Sequence, residues 1–209
     1  MTIMKSAEIR QFLRERQALL VHFSTPMAVT ASRHFPYDLQ NASTLTNVPL
    51  SFSTIQQGDG NPHETENPAA QGSVGLIVDI DETTEVLQVS HEDLGSYIDP
   101  TTGKPMGGGN PPTRQACDDS IDKRISTNEW YVLGFKPAGI LVLYPIIVRK
   151  PLGMVAGSTV YGEVDIELSD VLSAFPDMRI FNVTATCFLD FDRAQGQWSP
   201  VIYDDIIAP

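Results

Sequence analysis

The chain has 209 residues, of which 42% are hydrophobic, and it carries a formal net charge of −12 from 14 Lys and Arg against 26 Asp and Glu. This length and apolar share suffice for a real hydrophobic core. The acidity argues against broad contact with a nucleic-acid backbone, which needs clustered Lys and Arg, and no run of eighteen apolar residues offers a membrane span.

The N-terminus, MTIMKSAEIRQFLRERQALL, is charged and helical rather than basic, then apolar, then cleavable. That argues against secretion and for a cytoplasmic protein. Cys117 and Cys187 stand far apart, with no His or Cys at metal-ligand spacing, and read as two reduced thiols.

Ser6 to Leu20 predicts an amphipathic helix with Ser6 as its N-cap and Ile9, Phe12 and Leu13 near a 3.6-residue period. Arg10, Arg14 and Arg16 fall on its solvated side. Leu19 to Ser24 turns into a short strand closed by Pro26, and Met27 to Asn41 reads as a helix followed by a turn. Val48 to Ile55 alternates as a second strand. The Gly, Pro and Asn of QQGDGNPHETENPAAQG then mark a loop. Ser73 to Ile80 and Glu85 to Ser90 predict two strands, with DETT as a hairpin connection. His91 to Pro112 is irregular, and a short helix follows over about 113–122.

The remainder is mostly β. Trp130 to Phe135, Gly139 to Val148, Ser158 to Ile166 and Ile180 to Phe191 predict strands, Glu167 to Ala174 a helix ended by Pro176, and Arg193 to Gly196 a turn closing a hairpin onto Pro200 to Ile207. Helices early and strands late fit a single α+β domain, mixed or antiparallel, better than alternating βαβ units.

Three constellations carry possible chemistry. In LIVDIDETTEV, Asp79, Asp81 and Thr83 follow an apolar strand as D-x-D-x-T. This resembles the first motif of haloacid-dehalogenase-type phosphatases, in which the two aspartates act as nucleophile and general acid/base around magnesium. The structural alternative is an acidic turn that caps a strand end. In DGNPHETE, His63 lies among Asp59, Glu64 and Glu66, but a loop offers no rigid second shell for a metal, so the reading is a solvated loop and no metal site.

The third joins ALLVHFST (Ala18 to Thr25), VPLSFSTI (Val48 to Ile55) and ISTNEWYVLGF (Ile125 to Phe135). The order of these segments resembles the mono-ADP-ribosyltransferase family over roughly residues 18–150. The resemblance implies a split-sheet core that binds NAD as substrate. In that reading His22 bonds the adenosine ribose, with Ser24 or Thr25 beside it. Ser53 and Thr54 support the nicotinamide end, Phe52 or Trp130 stacks on nicotinamide, and Glu129 holds the 2′-hydroxyl of the nicotinamide ribose. A preplaced carboxylate suits this chemistry because bond breaking builds positive charge on the ribose. Ile55 stands where the family has a third hydroxyl, and Thr127 where many members read the acceptor with an acid or Gln. Asp99 to Thr127 would face an acceptor of unknown kind, and the family analogy suggests a toxin or defence effector. Two other readings stand beside this one. His22, the LSFST strand and Glu129 are all structural, or the chain is a non-enzymatic β-rich binding or assembly module whose exposed-looking YPIIVRKPLGM (Tyr144 to Met154) serves as an interface.

Overall fold

Ile9, Phe12 and Leu13 recur on one side of the first helix and are buried, which sets its inward face. The computed structural model describes residues 2–24, 34–44, 47–59, 73–92, 97–99, 101–102, 105–124 and 127–207. Helix α1 runs Ser6–Arg16 and stops short of the expected Leu20, because Gln17 turns left-handed (φ 51°) and releases the chain into a strand. The residue before the helix is Lys5 rather than Ser6. Its N–H donates to Glu8 at 2.8 Å, while Ser6 Oγ donates to the Thr84 carbonyl.

After α1 come β1 (Leu19–Phe23), α2 (Tyr37–Thr44), β2 (Leu50–Ile55), β3 (Val74–Asp79) and β4 (Glu85–Ser90). Short β5 (Tyr97–Ile98) and β6 (Pro105–Met106) precede α3 (Arg114–Asp122), β7 (Glu129–Leu133) and β8 (Lys136–Val142). Next follow β9 (Ile147–Val155), β10 (Ser158–Asp165), α4 (Leu168–Ala174), β11 (Ile180–Val183), β12 (Phe188–Asp192), β13 (Gln197–Val201) and α5 (Tyr203–Ile207). The domain is α+β, as expected.

One nine-stranded sheet runs β13-β12-β11-β8-β3-β1-β2-β7-β4. Its pairs are antiparallel except β11 against β8. The order forces the sheet to roll. β7 and β8 lie four places apart, which in a flat sheet is roughly 19 Å at about 4.8 Å per strand. Only Gly134 and Phe135 connect them, and three Cα steps of ~3.8 Å reach about 11 Å at most. β3 and β4 are also four places apart, so DETT is not a hairpin connection. It carries the chain across the opening of the roll, where Thr84 Oγ1 donates to the Gly134 carbonyl at 2.9 Å.

Strand alternation builds two cores. Leu20, Phe52, Leu76, Val78, Trp130, Val132, Ile140 and Val142 face α1 to α4. Leu19, Val21, Phe23, Ile77, Leu141 and Phe181 face the other way, against Tyr203, Ile206 and Ile207 of α5. Gly75 permits the close packing of β1 on β3, since a Cβ there would come within 2.3 Å of Val21 Cγ1.

Three strand boundaries differ from the sequence expectation. The predicted strand from Gly139 to Val148 is broken around Tyr144–Pro145, between the end of β8 at Val142 and the start of β9 at Ile147. The one from Ile180 to Phe191 is a hairpin of β11 and β12. The Arg193–Gly196 turn does close a hairpin, onto β13, but Tyr203 to Ile207 is helix, because its apolar residues recur on the side that meets the second core.

Candidate functional site

β1 and β2 pair with Leu20 opposite Thr54 and Val21 opposite Ser53, and β2 meets β7 with Phe52 opposite Trp130. Directly paired residues share a face and successive ones alternate. His22, Phe52, Thr54 and Trp130 therefore point to the helix side, with Leu20. Ser53 and Glu129 point to the other side, on adjacent strands one step beyond the Phe52–Trp130 pair. The sheet thus brings Ser53 beside Glu129 and separates both from His22.

On the helix side the candidate residues are bound into the interior. His22 donates from Nδ1 to the Ser51 carbonyl at 2.7 Å and lies 5.7 Å from the Phe52 ring. Burial pushes its imidazole below the usual histidine range, and the Ser51 carbonyl offsets part of that. Phe52 and Trp130 are buried, and Trp130 stacks on Phe12 while its Nε1 donates to Ser120 Oγ at 3.1 Å, so neither ring presents a face to a ligand. Ser24 donates to Asp38, and Thr25 lies outside the described residues. Asn128 ties three elements together. Its Oδ1 accepts from Thr54 N at 2.8 Å, and its Nδ2 donates to Thr54 Oγ1 at 2.6 Å and to the Ser120 carbonyl at 2.8 Å.

On the opposite side the three strands β2, β7 and β4 turn polar. Ladder partners put Gln88 across from Tyr131 and Ser90 across from Glu129, with Ser51 also opposite Tyr131. Glu129 is 2% exposed, and Ser53 donates to the Asn128 carbonyl at 2.8 Å. Burial raises the Tyr131 phenol above its usual range, and the neighbouring Glu129 charge adds to the effect. At the edge of the sheet, Val89, Ser90 and His91 face Ala116 and Asp119 of α3, and Lys123 just beyond it, across a cavity of about 420 Å³ that neither Ser53 nor Glu129 lines. Asp119 accepts there from Gln115 Nε2 at 2.8 Å and pairs with Lys123 at 2.9 Å.

The D-x-D-x-T aspartates are engaged elsewhere. Asp79 takes Arg10 in two bonds of 3.1 and 2.7 Å, yet burial still pushes its carboxyl above the usual range. Asp81 accepts from Thr83 N at 2.8 Å and Thr83 Oγ1 at 2.6 Å, which holds it below that range. These bonds are those of an acidic turn. His63 lies outside the described residues, and among the described residues no group of three or more His, Cys, Asp or Glu could hold a metal.

The most exposed apolar surface lies in β9 and β10. These two strands pair only with each other among the described residues, as a ribbon outside the main sheet. Ala156 (φ 50°) and Gly157 (φ 81°) form its tight turn. Leu152, Met154, Val155 and Val160 are 61%, 71%, 66% and 41% exposed. The expected strands Gly139 to Val148 and Ser158 to Ile166 overlap this ribbon, but Pro151 to Met154 falls only within the expected Tyr144 to Met154 interface of a binding or assembly module, not within an expected strand.

No family model, curated protein or solved structure matches this chain.

Proposed function

We propose that this chain is an assembly module that joins a second copy of itself through the β9–β10 ribbon. The observation that carries this reading is the apolar ribbon tip, with four large side chains in solvent on a two-stranded unit. Exposed apolar surface of this kind marks an interaction site. A two-stranded ribbon is marginally stable alone in water, whereas three or more strands sharing an apolar face are not. A second ribbon supplies both the missing strands and a matching apolar surface, and beyond Ile147, whose carbonyl accepts from Ser73 N, the outer edges of β9 and β10 pair with no other strand among the described residues.

Charge supports the same partner. Two copies carrying −12 each repel at long range, so contact is favoured where charge is absent, and no Asp, Glu, Lys or Arg occurs between Lys150 and Glu163. Light scattering during gel filtration tests the reading. The expected result is a dimer for wild type and a monomer for a Leu152→Ser, Met154→Ser, Val155→Ser variant. A monomeric wild type at the highest soluble concentration refutes it.

A second reading is favoured by one observation, the buried Glu129 beside Ser53 on the polar face of the sheet. In it the chain consumes NAD as a mono-ADP-ribosyltransferase or glycohydrolase, with Glu129 facing the ribosyl cation and an acceptor yet to be found. The test is nicotinamide release by wild type and by Glu129→Gln. Absence of release from wild type excludes this reading.

A further inference from the structure

The cavity between the sheet edge and α3 belongs to neither reading above. β4 is the last strand of the sheet at this end, and Val89 points from it to the helix side, since it pairs with Trp130. Ala116 and Asp119 face it from α3, one turn apart, with Lys123 a further turn on. Two backbone bridges close the remaining walls. Asn110 exchanges bonds of 2.9 and 2.8 Å with Val89, and Ile3 pairs with Thr113 at the start of α3. The enclosed volume of about 420 Å³ falls within the roughly 300–1,000 Å³ of small-ligand sites.

The cavity has two unlike ends. Ile3 and Pro111 lie beside Thr113, at the N-terminal end of α3, and with Val89 and Ala116 they make an apolar surface. Asp119 and Lys123 stand toward the other end, roughly 9–15 Å along the axis from Thr113 at about 1.5 Å per residue. They pair at 2.9 Å, and Gln115 Nε2 donates to the same carboxylate at 2.8 Å. Both bonds fall on Oδ1, so Oδ2 has no protein partner among the described residues. Lys123, then Gln115, hold this carboxyl below its usual range, and His91 on the cavity wall adds to the effect. The Lys123 ammonium has three donors, of which Asp119 occupies one.

Charge decides which molecule fits. A simple amine would meet Lys123 beside Asp119, a simple carboxylate would meet Asp119 beside Lys123, and an uncharged apolar molecule would desolvate both. A zwitterion satisfies the two together, and a solvent-exposed ion pair holds its partners weakly enough to admit one. We infer that the cavity binds a free amino acid with a large apolar side chain. Its ammonium meets Asp119 Oδ2, its carboxylate meets Lys123, and its side chain lies along Ile3, Val89 and Ala116. The site uses neither the ribbon nor Glu129, so it stands or falls apart from both readings above.

Calorimetric titration of the full chain with L-phenylalanine and L-leucine tests the inference, with 2-phenylethylamine and 3-phenylpropionate as probes that each lack one charge. The expected result is saturable binding of both amino acids. Each single-charge probe should bind roughly tenfold or more weakly than phenylalanine, the loss of one charge-assisted contact. Asp119→Asn should weaken phenylalanine by a similar factor and leave 3-phenylpropionate unweakened. Lys123→Gln should weaken phenylalanine and leave 2-phenylethylamine unweakened. Both side chains reach solvent, and thermal melting confirms that each variant is folded; the probe comparison on wild type serves if one is not. The inference is overturned if wild type binds neither amino acid, if either single-charge probe binds as tightly as phenylalanine, or if both folded variants keep wild-type affinity.

Discussion

Replacing Asn128 with Ala removes the side chain that joins β2, β7 and α3. Three buried hydrogen bonds disappear, those from Thr54 N and to Thr54 Oγ1 and the Ser120 carbonyl. A neutral bond contributes about 1 kcal/mol net, but a buried group left without a partner costs about 1–3 kcal/mol. The Thr54 hydroxyl can rotate toward another acceptor. Thr54 N–H and the Ser120 carbonyl are fixed by backbone and stay unsatisfied, so the expected loss is about 3–5 kcal/mol, a large part of the roughly 5–15 kcal/mol that holds a domain together. Urea unfolding followed by fluorescence measures it, because the buried Trp130 indole bonds Ser120 and reports the same junction. Asn128→Asp keeps the shape and exchanges two amide donors for a carboxylate facing acceptors. It should be more stable at pH 4 than at pH 7 relative to wild type, since only the protonated acid can donate. A loss under about 1 kcal/mol for Asn128→Ala refutes the view that these bonds hold the junction.

Other consequences follow from single residues. Gly75→Ala places a methyl group 2.3 Å from Val21 Cγ1 and 3.1 Å from the His22 carbonyl, and should destabilise by about 1–3 kcal/mol in the same unfolding assay; a change within about 0.5 kcal/mol shows that β1 and β3 separate easily. The Cys117 thiol, pushed up to about 12 by burial, should resist alkylation in the folded protein while Cys187 reacts, so equal labelling rates by mass spectrometry contradict the packing of α3. His22 has its imidazole held below the usual range, so its contribution is present above the unfolded value of about 6.5 and is lost as pH falls through the folded value. His22→Gln should flatten the fall in stability on acidification, and an unchanged pH profile speaks against a buried neutral ring.

Much of this fold is legible from pattern. The α1 stripe, the β1 and β2 runs and the α3 helix with Thr113 as its N-cap follow from periodicity and capping. What pattern could not supply was pairing. DETT looks like a hairpin because two strands flank it, yet the rolled sheet gives β3 and β4 different neighbours. The same blindness governed the candidate site. His22 and Glu129 each sit at a strand position that suits a ligand, but whether two strands face alike depends on register, and a shift of one residue reverses the answer. Tyr161 lies beside Arg149 in the same hairpin, whereas His34, far earlier in the chain, meets Tyr161 only in space.

The strand order also dictates how the chain reaches its native state. From Ile147 onward the antiparallel pairings join sequence neighbours, β9 with β10, β11 with β12 and β12 with β13, while β8 reaches back to β3 and forward to β11. The earlier half differs. β2 waits for β7, some eighty residues later, and Ala18 accepts from Tyr203 at the far end of the sequence. Closing such long loops costs entropy before any contact rewards it. The later half should therefore gain hydrogen-exchange protection first during refolding, with β1 and β2 joining last, and the slow step should expose Leu19, Val21 and Phe23 to aggregation until α5 covers them.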